Sequence, residues 1–323
     1  MKKSFKTNLK MFLIIFTLIV LFPSCIHSMQ KQEEIPSEVI IGGELLQINM
    51  DTKKVMYYKR DSEFKNLENF DLICKIDNKK IKNRNDIFNY IIYNKAKNYK
   101  VLILRNGKYE NMILSKEELN PSYFTEYIPF CATLTYIDPK EKTFGAVGHN
   151  IKVNELNDII SKKGKIYLCN VVEIKKSNKC EIGSIYGKMK DKSQGNIYKV
   201  NDFGAKGKIT CDNFKDKEIY EVGKVEDVRL GHASLVINNS TEENKKFYDI
   251  NITKINNQDE PSTQGFEFEV VDKEFINSYG GILQGMSGSP IIQNGKIVGA
   301  LSHVLATNTK EGIGLYIEWM MEK

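Results

Sequence analysis

Apolar and polar residues alternate in short runs along most of the chain, and this alternation predicts strands far more often than helices. In the first third, residues 39–48, 70–76, 100–104 and 109–114 read as strands. Asn106-Gly107 between the last two is a hairpin signal. Residues 85–96 break the pattern: Ile87, Tyr90 and Ile91 recur at helical spacing, and Asn85 stands where a cap belongs. From residue 130 onward, 131–137, 166–174, 206–211, 247–253, 266–271, 291–304 and 313–319 read as further strands, parted by Gly, Asn, Asp and Lys. Many short strands with frequent turns predict a β-barrel or sandwich.

A chain of 323 residues makes about two domains. The expected division is a small α+β unit over 36–115, a polar linker over 116–128 containing Pro121, and a mainly β domain over 129–323. The element order of the first unit, with Lys79-Lys80-Ile81-Lys82-Asn83 leading into its helix, resembles a PDZ domain. That resemblance implies peptide capture by strand addition near Gly42, Gly43, Leu45 and Leu46, with a peptide or the chain's own C-terminus as ligand. A docking domain with no groove is the other reading of the same unit.

Residues 11–22 form an unbroken run, apolar but for one threonine, behind Lys2, Lys3, Lys6 and Lys10. A basic segment followed by a short apolar one predicts a secretory signal over 1–28. The same residues also read as an uncleaved signal-anchor, and Cys25 as a lipidation site. Either way the body is expected outside the cytoplasmic membrane. Composition narrows the picture further. With 41% hydrophobic and 27% charged residues, disordered, collagen-like and multi-span membrane classes are excluded. The net charge of +6 owes four charges to those lysines, so the body carries 43 basic against 41 acidic side chains. Such a balance argues against nucleic acid as a partner. Export permits disulfides, but Cys74, Cys131, Cys169, Cys180 and Cys211 are odd in number and form no C-x-x-C pair, so they read as small apolar residues. His27, His149, His232 and His303 are not spaced with them as zinc ligands.

The chemistry concentrates in Gly285-Met286-Ser287-Gly288-Ser289-Pro290. A serine hydroxyl attacks only when a base takes its proton and donors hold the oxyanion. Glycines on both sides let the backbone turn tightly enough to aim amide groups, here those of Gly285 and Ser287, at one point. G-x-S-G-x-P looks like the nucleophile loop of chymotrypsin-like proteases. The rival nucleophile elbow requires a helix after the serine, whereas Pro290 to Gly299 reads strand, turn, strand. His149 follows a glycine at a strand end and precedes the serine, so it is the first candidate base; His303 and His232 compete. The acid stays open: chymotrypsin order favours Asp191 or Asp202.

Phe144 to His149, Gly280 to Lys296 and Gly312 to Met320 together resemble the stage IV sporulation protein B (SpoIVB) serine peptidase family. The resemblance implies a chymotrypsin-like double barrel and a secreted, self-processing serine endopeptidase. It implies action between the two membranes around the forespore, on a membrane-bound regulatory protein whose cleavage leads to activation of a late mother-cell sigma factor. It implies no metal or organic cofactor. It places the nucleophile at Ser287, the base at His149 and the acid at Asp272. A catalytically dead, protease-like envelope adaptor is the alternative from another class.

Overall fold

The computed structural model describes residues 35–322, leaving out 59–65, 152–159, 180, 212–213, 215–216, 239–244 and 257–258. Residues 1–28, Cys25 and Cys180, all singled out above, therefore lie outside the described residues. Among the described residues no helix is long and apolar enough to cross a membrane.

The chain is mainly β. Strands β1 (Glu38–Ile41) and β2 (Leu45–Tyr57) come first. Next come β3 (Leu72–Ile76), β4 (Lys79–Lys80), helix α1 (Arg84–Tyr93), β5 (Asn98–Arg105) and β6 (Lys108–Ser115). Then follow β7 (Phe124–Asp138), β8 (Thr143–Ala146), β9 (Ile160–Lys175), β10 (Ser184–Asn201), β11 (Gly204–Ile209) and β12 (Ile219–Val222). The last third holds β13 (Gly231–Ile237), β14 (Lys246–Ile255), β15 (Phe266–Val270), α2 (Lys273–Tyr279), β16 (Pro290–Gln293), β17 (Lys296–Leu305), β18 (Asn308–Tyr316) and α3 (Ile317–Glu322).

The pairings close two antiparallel barrels of six strands each. In the first, β2 pairs with β7, β7 with β8, β8 with β11, β11 with β10, β10 with β9, and β9 with β2 again. In the second, β13 pairs with β14, then come β15, β18, β17 and β16, which returns to β13. Closure leaves neither barrel an open edge. Strand β1 pairs with both β7 and β12, and β12 runs parallel to β17, so this ribbon ties the barrels together.

The alternation read from the sequence is what fills the barrels. On β15, Phe266, Phe268 and Val270 are buried, while Glu267 and Glu269 between them are half-buried on the other face. On β2, Leu46, Ile48 and Met50 point into the first barrel, where they meet Leu134, Phe144, Ile166 and Ile197.

Three expectations are corrected here. Strands β1 and β2, expected in the small unit, pair instead with β12, β7 and β9, so residues 45–50 belong to the first barrel and 38–41 to the ribbon between the barrels. The linker expected over 116–128 is not one: from Phe124 it is the start of the 15-residue strand β7. The small unit is thus an insertion between the first two strands of a barrel, with its own core running from Val55 through Ile73, Ile87, Tyr99 and Leu114 to Phe124. It could not be placed from local pattern, because β2 and β7 each run on from the barrel into it. Helix α1 is capped by Asn83 rather than Asn85. The Asn83 side chain accepts from the Asp86 amide at 2.9 Å, and the Asp86 carboxylate accepts from the Asn83 amide at 3.3 Å. Inside the unit, buried Asp71 is held by Arg105 through two hydrogen bonds, at 2.8 and 2.5 Å.

Candidate active site

Ser287 lies in the turn that leads into β16, and its local backbone is dictated by glycine. Gly285 and Gly288 have φ of +101° and +96°, a region that residues with a side chain rarely adopt. At Gly288 a Cβ would also fall 2.3 Å from the Thr133 carbonyl oxygen and 2.6 Å from the Val147 nitrogen, so the loop touches the first barrel backbone to backbone. The Ser287 hydroxyl donates to the Ser302 carbonyl on β17 at 3.5 Å.

Among the described residues, no hydrogen bond engages the amides of Gly285 or Ser287. Their direction is nonetheless set. A trans peptide is planar, so holding one carbonyl aims the next amide the opposite way. The Gln284 carbonyl accepts from the Ile185 amide at 3.0 Å, which orients the Gly285 N–H. The Met286 carbonyl accepts from the Ser289 amide at 2.9 Å and the buried Ser289 hydroxyl at 2.7 Å, which orients the Ser287 N–H. The next carbonyls are held by β7: Thr133 Oγ1 donates to Gly285 at 2.8 Å, the Thr133 amide to Ser287 at 2.9 Å, and Thr135 Oγ1 to Gly288 at 2.7 Å. Both amides are therefore without a hydrogen-bond partner among the described residues and held in direction on either side of Met286.

The segment before the loop is braced by the β9–β10 hairpin. Ser177 Oγ donates to the Ile282 carbonyl at 2.7 Å, and the Ser177 amide donates to Tyr279 at 2.8 Å. Sequence reasoning missed Thr133, Thr135, Ser177 and Ser289. Ser289 was visible in the motif, but the others lie about 110 to 150 positions away and carry no local signal.

His149 follows Val147 and Gly148, both with positive φ, at +85° and +76°. A Cβ on Gly148 would sit 2.8 Å from the Leu301 carbonyl oxygen, which places this turn directly against the second barrel. His149 Nδ1 lies 2.9 Å from the carbonyl oxygen of Asn150. A carbonyl oxygen only accepts, so Nδ1 carries the proton and the neutral ring keeps its lone pair at Nε2.

The His303 ring stands 5.3 Å from that of His149, centroid to centroid, and its Nδ1 is 2.7 Å from Ser302 Oγ. His303 is exposed overall, but the protein around its ring, and then the neighbouring His149, hold the imidazole below its ordinary value. His149 thus stands against His303, and His303 against Ser302, whose carbonyl accepts from Ser287; no hydrogen bond joins His149 to Ser287 among the described residues. His232 does not join them; its Nε2 is 3.0 Å from Asp249.

The three candidate acids are in different places. Asp272 is the N-cap of α2. Its Oδ1 accepts from the Phe275 amide at 2.8 Å and its Oδ2 from the Asp249 amide at 3.3 Å. No hydrogen bond or ion pair joins it to His149 among the described residues. Asp191 is exposed in the middle of β10. Asp202 is in the β10–β11 turn, and its Oδ1 accepts from Asn150 Nδ2 at 2.6 Å.

The loop read as a peptide-binding site on the small unit is elsewhere. The Gly42 and Gly43 amides donate to Thr135 and Leu134 of β7, and Leu45 and Leu46 are buried in β2 at the first barrel. That placement is a correction, and its cause is the strand pairing given above. Cys131 lies beside the nucleophile loop, its Sγ donating weakly to the Ile185 carbonyl at 3.8 Å. The residue is exposed overall, but surrounding protein crowds the thiol and pushes it up to about 12, and burial pushes Cys169 up to about 11.

Paired six-stranded barrels with a glycine-flanked serine and a histidine between them define a serine peptidase of the chymotrypsin-like class. Residues 123–321 match the family described as SpoIVB peptidase S55, and the chain belongs to that family. No curated protein matches it. Solved structures similar to it are distant. The Rv3671c protease of M. tuberculosis in its inactive form is 12% identical, with a TM-score of 0.31 over 59% of this chain and 81% of that one. The HtrA-type protease AlgW with decapeptide is 12% identical, with a TM-score of 0.35 over 88% of this chain and 62% of that one.

Proposed function

We propose that this serine peptidase is an exported sporulation endopeptidase with Ser287 as nucleophile and His149 as base. The observation that carries the site assignment is the pair of unengaged, oriented amides at Gly285 and Ser287, next to a histidine whose free lone pair is at Nε2. His149 Nε2 takes the Ser287 Oγ proton as the oxygen attacks a peptide carbonyl. The oxyanion rests on the Gly285 and Ser287 amides. The imidazolium then protonates the leaving amine, and water, activated by the same nitrogen, hydrolyses the acyl-enzyme.

The physiological reading rests on the family and on the basic-then-apolar start of the chain. The enzyme acts outside the cytoplasmic membrane, in the space around the forespore, on a membrane-bound regulatory protein, and trims its own N-terminal region. The test is reaction of the full chain and its Ser287→Ala variant with a fluorophosphonate probe, followed by mass spectrometry. Labelling and self-trimming in the first and neither in the second are expected. A folded wild-type chain that does neither overturns the catalytic assignment in favour of a non-enzymatic adaptor.

A further inference from the structure

We propose that His149 and His303 together bind one transition-metal ion of the zinc class, and that this ion reversibly switches the enzyme off. The effect on activity rests on the reading of His149 as the base; the binding itself does not. Three observations carry the site.

First, the fold sets the two rings side by side. His149 follows β8 of the first barrel, and His303 lies on β17 of the second. Their centroids are 5.3 Å apart and their planes are tilted by 37°. Zinc sits about 2.0–2.1 Å from an imidazole nitrogen, so two rings sharing one ion at a tetrahedral angle have centroids about 5 Å apart. The observed separation matches.

Second, each ring has an oxygen at its other nitrogen. His149 Nδ1 is 2.9 Å from the Asn150 carbonyl oxygen, and His303 Nδ1 is 2.7 Å from Ser302 Oγ. A metal-bound imidazole donates its second N–H to such an oxygen, which fixes both tautomer and ring direction. With both Nδ1 atoms engaged, Nε2 is the nitrogen left for an ion on each ring.

Third, the donor set selects the ion. Neutral imidazoles suit zinc, copper and nickel, whereas magnesium and calcium take oxygen ligands. Among the described residues no group of three or more His, Cys, Asp or Glu is placed to hold a metal. The site therefore has two protein ligands, with water in the other positions, and its ion comes and goes. While bound, the ion occupies the Nε2 lone pair of His149, so no base takes the Ser287 proton. The ion is an inhibitor, not a cofactor. His232, paired with Asp249 on β14, takes no part.

The test uses the full chain. Equilibrium dialysis against zinc sulfate measures binding, and fluorophosphonate labelling with and without zinc measures inhibition. Wild type is expected to label more slowly as zinc rises, to recover on adding EDTA, and to ignore magnesium. His149→Gln and His303→Gln are each expected to weaken zinc binding by at least the about ten- to hundred-fold that loss of an outer partner costs. Labelling of His303→Gln, relative to its own metal-free rate, is expected to resist zinc to the same degree. His232→Gln is expected to bind as wild type does. Nitrogen spectra of wild type labelled with 15N-histidine, needing no variant to fold beyond those that assign the peaks, are expected to show Nε2 of both His149 and His303 moving with zinc. Unchanged zinc affinity in a folded His303→Gln, or movement of only one of the two rings, overturns the proposal. If wild type does not label even without zinc, the catalytic assignment fails, and dialysis with the nitrogen spectra still decides the metal site.

Discussion

The hydroxyl of Thr133 donates to the carbonyl of Gly285 at 2.8 Å, and the bond is fully buried. It joins the second strand of the first barrel to the nucleophile loop of the second. The Thr133 amide also holds the Ser287 carbonyl, so one residue grips the loop on both sides of Met286. Thr133→Val keeps the shape and removes the donor, leaving a buried carbonyl without its partner. That costs about 1–3 kcal/mol. Urea denaturation should show this loss, and probe labelling should slow about tenfold because the oxyanion donors are no longer held.

Gly288→Ala tests the backbone geometry of the loop. The added methyl would meet the Thr133 carbonyl oxygen at 2.3 Å at a φ of +96°. Strain of this kind costs on the order of 1–3 kcal/mol before the clash is counted. The expected outcome is a lower melting temperature and no detectable labelling. A variant with wild-type labelling would show that the loop works in another conformation.

His303 makes stability depend on pH. Its folded value lies below the ordinary 6.5, because the protein crowding the ring, and then His149, disfavour the charged form. The folded state then binds fewer protons than the unfolded one. The contribution is fully present above about pH 6.5 and is lost as pH falls below it. Melting temperatures measured from pH 8 to pH 5 should fall more steeply in wild type than in His303→Gln. Equal slopes would exclude His303 as the source.

Asp272 caps α2. Asp272→Ala removes the acceptor for the Phe275 and Asp249 amides and should destabilise the chain by about 1 kcal/mol. Asp272→Asn should restore most of it. Denaturant midpoints of the two variants check this.

The thiols near the site should be inert. With values of about 12 and about 11, Cys131 and Cys169 are almost wholly protonated at pH 8. Iodoacetamide should modify each at least about tenfold more slowly than free cysteine. Mass spectrometry of the alkylated chain, peptide by peptide, measures the rates.

The sequence by itself determined the features that are local. Alternation such as Phe266-Glu267-Phe268-Glu269-Val270 specifies a strand and its buried face, because side chains change sides at every residue. Glycines at 285 and 288 and the serine between them specify a tight turn, because other residues rarely adopt that backbone. The helix near residues 85–96 was legible to within a few positions; its cap moved to Asn83 because a capping box outweighs the nearest asparagine. What only the tertiary structure decided is long-range pairing. Whether 45–50 builds a barrel or a small unit depends on partners such as Ile48 and Ile166, over a hundred residues apart, and no local pattern encodes that choice. The same holds for the acids. Asp272 is near Ser287 in the chain yet caps α2, while Asp202, in the β10–β11 turn, accepts from the side chain of Asn150. Distance in a closed barrel is set by strand order, not by position along the chain.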